Sequence, residues 1–221
     1  MKAILLPIKN PDNPKSRLSE LMSLGERQRL AWAMYSDVAR ALAASRTQVP
    51  VVVVTGFEAA KKHALSMGFE VLFEDEQVSE SASVDRASRI LAARGFDVVL
   101  RLPGDIPLLQ PDDVDALLAA DVPSPGALMA PSFEGTGTNA LMRRPPDLFP
   151  SRFGPNSLAL HKEEASRAGA RCIIVDNPRI ALDIDEPADL NMFLTMSKGT
   201  GGEGTETYEI TVMQLSDRVI K

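Results

Sequence analysis

A single cysteine, Cys172, in 221 residues excludes an internal disulfide and any cysteine-cluster metal site. Basic residues are not in excess: 24 Lys and Arg stand against 30 Asp and Glu, a formal net charge of −6. A mildly acidic chain lacks the basic face that generic nucleic-acid or membrane binding needs, so no nucleic-acid or membrane partner is expected. No run approaches the roughly 18 apolar residues of a membrane span. The opening "MKAILLPIKNP" has too short an apolar core for a signal peptide, which reads as a cytoplasmic protein. There is also no G-x-x-x-x-G-K-[ST] phosphate loop. Any phosphate chemistry must use another device.

What is present is an alternation of strand and helix patterns. "AILLPI" (3–8), "PVVVVT" (50–55), "FEVLF" (69–73) and "DVVLRL" (97–102) are short apolar or β-branched runs that read as strands. Helical spacing separates them: Leu30, Ala33, Met34, Val38, Ala41 and Leu42 fall on one face. Further helices are expected over 58–67, 82–94 and 111–120, the last opening on Pro with "DD" in its first turn. Such alternation predicts an α/β fold, a mostly parallel sheet with helices on both faces. After residue 126 the pattern changes. Two strands joined by "EGTGT", a helix over 157–168, a strand over 170–175 and a helix over 187–196 complete a domain of residues 1–197. "SKGTGGEGTET" (197–207) reads as a flexible linker. The alternating "YEITVMQL" after it reads as an added strand, on the sheet edge or on a partner chain, which leaves room for a homodimer.

"RLPGDIPLLQP" (101–111) ends a strand on Gly104 and Asp105 and then breaks it with Pro107. In open α/β sheets ligands bind beyond the C-terminal strand ends, so Asp105 would project into the crevice. In "ALDIDEPADL" (181–190), Asp183 and Asp185 alternate with Leu182 and Ile184. If extended, this segment puts both carboxylates on one face. Three converging carboxylates would suit a hard divalent cation such as Mg²⁺. Two plainer readings stand beside this one: Asp105 as a turn residue, and Asp185 as the cap of the helix opening at Pro187. The loop after the first strand carries Lys9, Lys15 and Arg17. A basic loop facing acidic strand ends suggests metal-assisted nucleotidyl transfer, with the cations neutralising developing charge; a merely solvated loop is the alternative.

Five stretches in order resemble one family: "P-x-K-x5-K-S-R-L" (7–18), "GD-x-P-L-L" (104–109), "GTN-A-L" (137–141), "FGP-x-S-x3-H" (153–161) and "LD-x-D-x-P-x-DL" (182–190). Together they look like the guanylyltransferases of coenzyme F(420) biosynthesis, which have a Rossmann-like GT-A nucleotidyltransferase fold. The resemblance implies transfer of GMP from GTP to 2-phospho-L-lactate, phosphoenolpyruvate or 3-phospho-D-glycerate, with release of pyrophosphate. It implies Asp105, Asp183 and Asp185 as ligands of two Mg²⁺ ions, and Lys9, Lys15 and Arg17 on the triphosphate. The acceptor acid would sit near Thr138, Asn139, Gly154 and Ser157. Elementary chemistry agrees. "FGPNS" leads into a helix whose first amides favour an anion, and Ser157 could cap that helix, donate to the ligand, or both. Gly137 lets backbone approach a ligand. His161 lies one turn beyond Ser157 and assists a phosphate or simply covers the helix. The family's Gly-Leu-Asn-rich nucleotide stretch is replaced by "VSESASVDRA" (78–87), where Ser81, Ser83 and Asp85 are the candidate substitutes. His63 reads as a surface helix residue and Cys172 as core. Two other functions fit the same frame: a nucleotidyltransferase acting on a sugar phosphate or a molybdenum cofactor, and a non-catalytic nucleotide-binding module. The Gly-free "PIKNPDNPKSRL" loop disfavours the first, and intact carboxylates disfavour the second.

Overall fold

The computed structural model describes residues 1–9 and 12–219, with side chains described as far as residue 214. Seven strands form one sheet: β1 (Lys2–Ile8), β2 (Val51–Thr55), β3 (Glu70–Phe73), β4 (Val98–Arg101), β5 (Gly126–Pro131), β6 (Thr138–Arg144) and β7 (Arg171–Ile174). Their order is β3-β2-β1-β4-β6-β5-β7. β6 alone runs antiparallel, against both β4 and β5. The other pairings are parallel. The expected mixed, mostly parallel sheet is therefore present.

Helices cover both faces because the central strands are apolar on both. Ile4, Leu6, Val51, Val53 and Leu100 pack under α1 (Leu24–Ala43), α2 (Glu58–Ser66) and α4 (Pro111–Ala119). Ala3, Leu5, Val52, Val54 and Val99 pack against Val84, Ala87 and Leu91 of α3 (Glu80–Ala93). α5 (Ser157–Arg167) covers Ala127, Met129 and Leu141 further along the same face. Each fully buried Val, Leu or Ile contributes about 1.5–3 kcal/mol against leaving it in water, so the strands are held from both sides. Local signals set the helix ends. Ser23 and Glu26 form a reciprocal capping box on α1, and Pro111 opens α4.

Three expectations change. Residues after 205 form a helix, α8 (Glu206–Val219), rather than a strand. Thr207 and Thr211, one turn apart, are both fully buried, and the Asp37 carboxylate of α1 accepts from the amides of Glu206 (3.1 Å) and Thr207 (2.9 Å). Burial at i and i+4 plus a capped amide end selects helix over the alternation that suggested a strand. Before α8, the glycine-rich stretch folds into a short 3₁₀ turn at Gly202–Gly204; a Cβ on Gly202 would lie 2.6 Å from Ser197 Oγ of the preceding helix. Second, Cys172 is exposed, because β7 is an edge strand with only one neighbour. Third, His63 is half-buried; its Nδ1 lies 3.2 Å from the Tyr35 hydroxyl and its ring packs edge-on against Trp32. Sequence patterning also passed over the short α6 (Pro178–Ala181), which precedes α7 (Pro187–Ser197). Among the described residues no helix is long and apolar enough to cross a membrane.

Candidate active site

The acidic crevice lies where the sheet's parallel strands end. β4 stops at Arg101, and the chain turns through Gly104 to Asp105. Gly104 does not take a left-handed backbone; a Cβ there would sit 2.7 Å from Ile8 Cδ1, the movable end of that side chain. The second acidic segment is laced to the first, since the Ile184 amide donates to the Asp105 carbonyl at 3.2 Å. Leu182 and Ile184 are buried with Leu18, Met34 and Phe193. Their burial turns Asp183 and Asp185 the other way, toward Asp105. One oxygen from each of the three carboxylates lies within 4.8 Å of the others. Asp105 thus belongs to a cluster of three carboxylates rather than standing alone at the turn. Nor is Asp185 the cap of α7: Glu186 holds that position, and the Asp189 carboxylate accepts from the amides of Asp185 (2.9 Å) and Glu186 (2.8 Å).

Lys15 enters this cluster from the β1–α1 loop. Its backbone is left-handed (φ 49°) just before the 3₁₀ turn Ser16–Leu18, and Leu18 anchors that turn in the apolar cluster with Leu182 and Ile184. The ammonium lies 2.7 Å from Asp105 and 2.6 Å from Asp185. Burial opposes the Lys15 charge, but the two carboxylates outweigh it and hold its pKa above the ordinary lysine value. Burial likewise opposes the Asp105 charge, and Lys15 outweighs it, so the Asp105 pKa falls. Asp183 gets too little relief, because the Asn139 hydrogen bond and the Lys15 charge lower its pKa without prevailing. Burial first, then the charges of Asp105 and Asp185, push its pKa up to about 6. A crevice with this much close-set negative charge and oxygen donors fits a hard divalent cation. The other basic candidates stay at the rim: Lys9 is exposed at the end of β1, and Arg17 reaches Glu186 at 3.4 Å.

Across the crevice, β6 begins. A register shift opposite Ala130 and Pro131 leaves Asn139 as an extra residue between the paired Thr138 and Ala140. Such bulges re-aim side chains. Asn139 Nδ2 donates to Asp183 Oδ1 (3.0 Å) and to the carbonyls of Ile180 (3.0 Å) and Ala181 (2.9 Å), which fixes Asp183 from behind. Thr138 points instead to α5, where His161 Nδ1 lies 3.0 Å from its hydroxyl. Gly154 takes a φ of 127°, which a side chain would resist, and turns the chain into α5. Ser157 is buried at the first position of α5 and is not the cap; Asn156 holds that place in a left-handed conformation.

The altered stretch 78–87 is occupied internally. Ser81 Oγ accepts from the Phe153 amide at 2.9 Å, and Ser83 donates to the buried Glu74 carboxylate at 2.6 Å. Asp85 accepts from the Ser151 amide (3.0 Å) and from Arg143 (3.0 Å). These contacts tie α3 to the "FGP" loop. Sequence reading missed Arg101 and Arg143, two nearly buried guanidiniums on the α3–α5 face. Arg101 pairs with Glu80, donates to the carbonyls of Thr138 (3.3 Å) and Asn139 (3.2 Å), and stacks 4.1 Å over Phe153. For Arg101 the available signal was an arginine inside the otherwise apolar "VVLRL" (98–102).

The family model described as "Guanylyl transferase CofC like" matches residues 1–213, well into the tail. A phosphoenolpyruvate guanylyltransferase of Rubrobacter xylanophilus is 34% identical, over 84% of this chain and 90% of that protein. A 3-phospho-D-glycerate guanylyltransferase of Colwellia psychrerythraea is 32% identical, over 88% and 91%. A 2-phospho-L-lactate guanylyltransferase of Methanothermobacter thermautotrophicus is 33% identical, over 89% and 85%. Among solved structures, one from Desulfovibrio desulfuricans described as a nucleotide-diphospho-sugar transferase superposes with a TM-score of 0.78. It covers 99% of this chain and 96% of its own at 20% identity, a likeness of fold.

Proposed function

The chain belongs to the family of CofC-like guanylyl transferases, and from that premise we propose that it transfers GMP from GTP to a small phosphorylated carboxylic acid. Phosphoenolpyruvate, 3-phospho-D-glycerate and 2-phospho-L-lactate are the candidate acceptors, the acids named in its relatives. The observation that carries the reading is the convergence of Asp105, Asp183 and Asp185, from two distant segments, on one ammonium, that of Lys15. GTP and such acids are soluble metabolites, so we place the reaction in the cytoplasm, within coenzyme F(420) biosynthesis.

In the reaction a phosphate oxygen of the acceptor attacks the α-phosphorus of GTP in line. A P–O bond forms, the α–β bridging bond breaks, and pyrophosphate leaves with the electron pair. The attacking oxygen is already an anion, so no strong base is required, and positioning and charge neutralisation supply most of the rate. Asp105, Asp183 and Asp185 would hold Mg²⁺, one ion or two, which when bound supplies positive charge to the phosphates. Lys15 adds a cation at the same place, while Lys9 and Arg17 at the rim contact the triphosphate. Asn139 keeps Asp183 facing the crevice. The acceptor lies along Thr138, Gly154 and Ser157, where the positive end of the α5 dipole favours its anionic groups. Base and ribose contacts fall to the start of α3, beside Ser81, with Ser83 buried on Glu74 behind it.

The test is pyrophosphate release from GTP and Mg²⁺ with each acid separately, with mass detection of the guanylylated product. Release with one acid is expected, and Asp105→Asn should cut it at least about a thousandfold with the fold retained. Near-normal turnover by that variant would overturn the metal assignment. Release only with a sugar phosphate would overturn the acceptor class.

A further inference from the structure

His161 is fully buried on α5 and touches no carboxylate of the crevice through a direct hydrogen bond, yet its surroundings fix its protonation in a way that matters for Thr138. The backbone amide of Arg152 lies 2.8 Å from His161 Nε2. A backbone N–H can only donate, so Nε2 carries no proton. Burial first, then the charges of Arg143 and Arg101, hold the His161 pKa down at about 4, which keeps the ring neutral. A neutral ring bare at Nε2 carries its hydrogen at Nδ1. Nδ1–H therefore donates to Thr138 Oγ1, 3.0 Å away. Phe153 packs edge-on against the ring at 4.9 Å and holds its plane.

The consequence falls on the Thr138 hydroxyl. Accepting from His161 uses one of its lone pairs and leaves its own hydrogen to be donated elsewhere. Among the described residues it has no other hydrogen-bond partner. Thr138 is the chain neighbour of Asn139, the residue that grips Asp183, and its own side chain is turned toward α5. We propose that His161 is a positioning residue: by donating to Thr138 it leaves that hydroxyl's hydrogen free for an oxyanion of the acceptor acid. A freely rotating hydroxyl can present a lone pair or a proton. With His161 donating to it, this one cannot spend its proton on His161 and keeps it free for a carboxylate or phosphate oxygen, an acceptor with nothing to donate. The direction of the relay, from the Arg152 amide through the imidazole to Thr138, is set by the one member that cannot reverse.

The proposal rests on the acceptor-site reading above, and its test separates the two. Asn at 161 places an amide where Nδ1 was and keeps the donor to Thr138. Gln reaches the Nε2 position, keeps the Arg152 bond and loses the donor. His161→Gln and Thr138→Val should each raise the acceptor KM by about ten- to a hundredfold, the range for a hydrogen bond to a charged group, with the KM for GTP unchanged. His161→Asn should recover most of the acceptor affinity that His161→Gln loses, and the Gln/Val double variant should lose no more than either single one. Equal impairment of His161→Asn and His161→Gln, or a parallel rise in the GTP KM, would overturn the relay. If the wild-type protein turns over none of the three acids, the acceptor reading fails. The relay is then decided by long-range ¹H–¹⁵N NMR of His161: protonation at Nδ1 supports it, and protonation at Nε2 overturns it.

Discussion

Replacing Lys15 with methionine removes a charge while keeping most of the side chain's length. In the protein the Lys15 side chain is 10% exposed, against Asp105 at 33% and Asp185 at 45%. Breaking a fully buried ion pair from one side costs about 3–5 kcal/mol. An exposed pair is worth about 0–1 kcal/mol. Two partly exposed carboxylates around a nearly buried ammonium fall between these limits, at about 2 kcal/mol. For a chain of this size that lowers Tm by about 4–8 °C. The loss should appear fully in chelator, where three carboxylates within 4.8 Å are left to repel one another. Adding Mg²⁺ should restore much of it, because a divalent cation takes over the neutralisation that Lys15 provided. Mg²⁺ should therefore raise the Tm of the variant more than that of the wild type. Thermal denaturation of both proteins, with chelator and with Mg²⁺, makes the comparison. A variant as stable as wild type in chelator, or one that Mg²⁺ does not lift, would refute the reasoning. Turnover at saturating Mg²⁺ should still fall about 10²–10³-fold, since one preorganised charge on the transferring phosphate is gone.

Asp37→Ala should free the N-terminus of α8, whose first amides that carboxylate caps, and cost about 1–2 kcal/mol; faster amide exchange over 206–214 is the readout, and uniform exchange along the chain would contradict it. The buried His161 adds a pH dependence. Its folded pKa of about 4 lies below the ordinary value of 6.5, so the stability linked to its neutral form is complete above pH 6.5 and is lost as pH falls toward 4. Linkage puts that loss at about 3 kcal/mol. Urea midpoints at pH 7, 5 and 4 should fall more steeply for wild type than for His161→Asn, and parallel slopes would count against it.

The alternation of β-branched runs with helical spacing was enough to predict the sheet and its cover, because burial on both faces leaves the central strands no polar side. The carboxylate pair was legible for a similar reason. Leu182 and Ile184 must be buried, so in an extended segment Asp183 and Asp185 must face the other way. Period alone misled in the tail. "YEITVMQL" alternates, but capping by Asp37 and burial of Thr207 and Thr211 made it a helix, and those partners lie some 170 residues away in sequence. Composition misled at Cys172, whose apolar strand turned out to be a sheet edge.

The sequence by itself determined the fold class, the three acidic ligand candidates and the basic loop, since each depends on a local pattern read against a general rule. Tertiary structure alone decided which base enters the crevice. Lys9, Lys15 and Arg17 are alike in composition, but only Lys15 is swung inward, by a left-handed backbone ahead of a turn that Leu18 anchors. It also decided that Ser81 and Ser83 are tied to the "FGP" loop and to Glu74, and that His161 meets Thr138 across a bulge. Charge and hydrogen bonding act over a few ångströms, and which groups come that close is set by packing rather than by spacing along the chain.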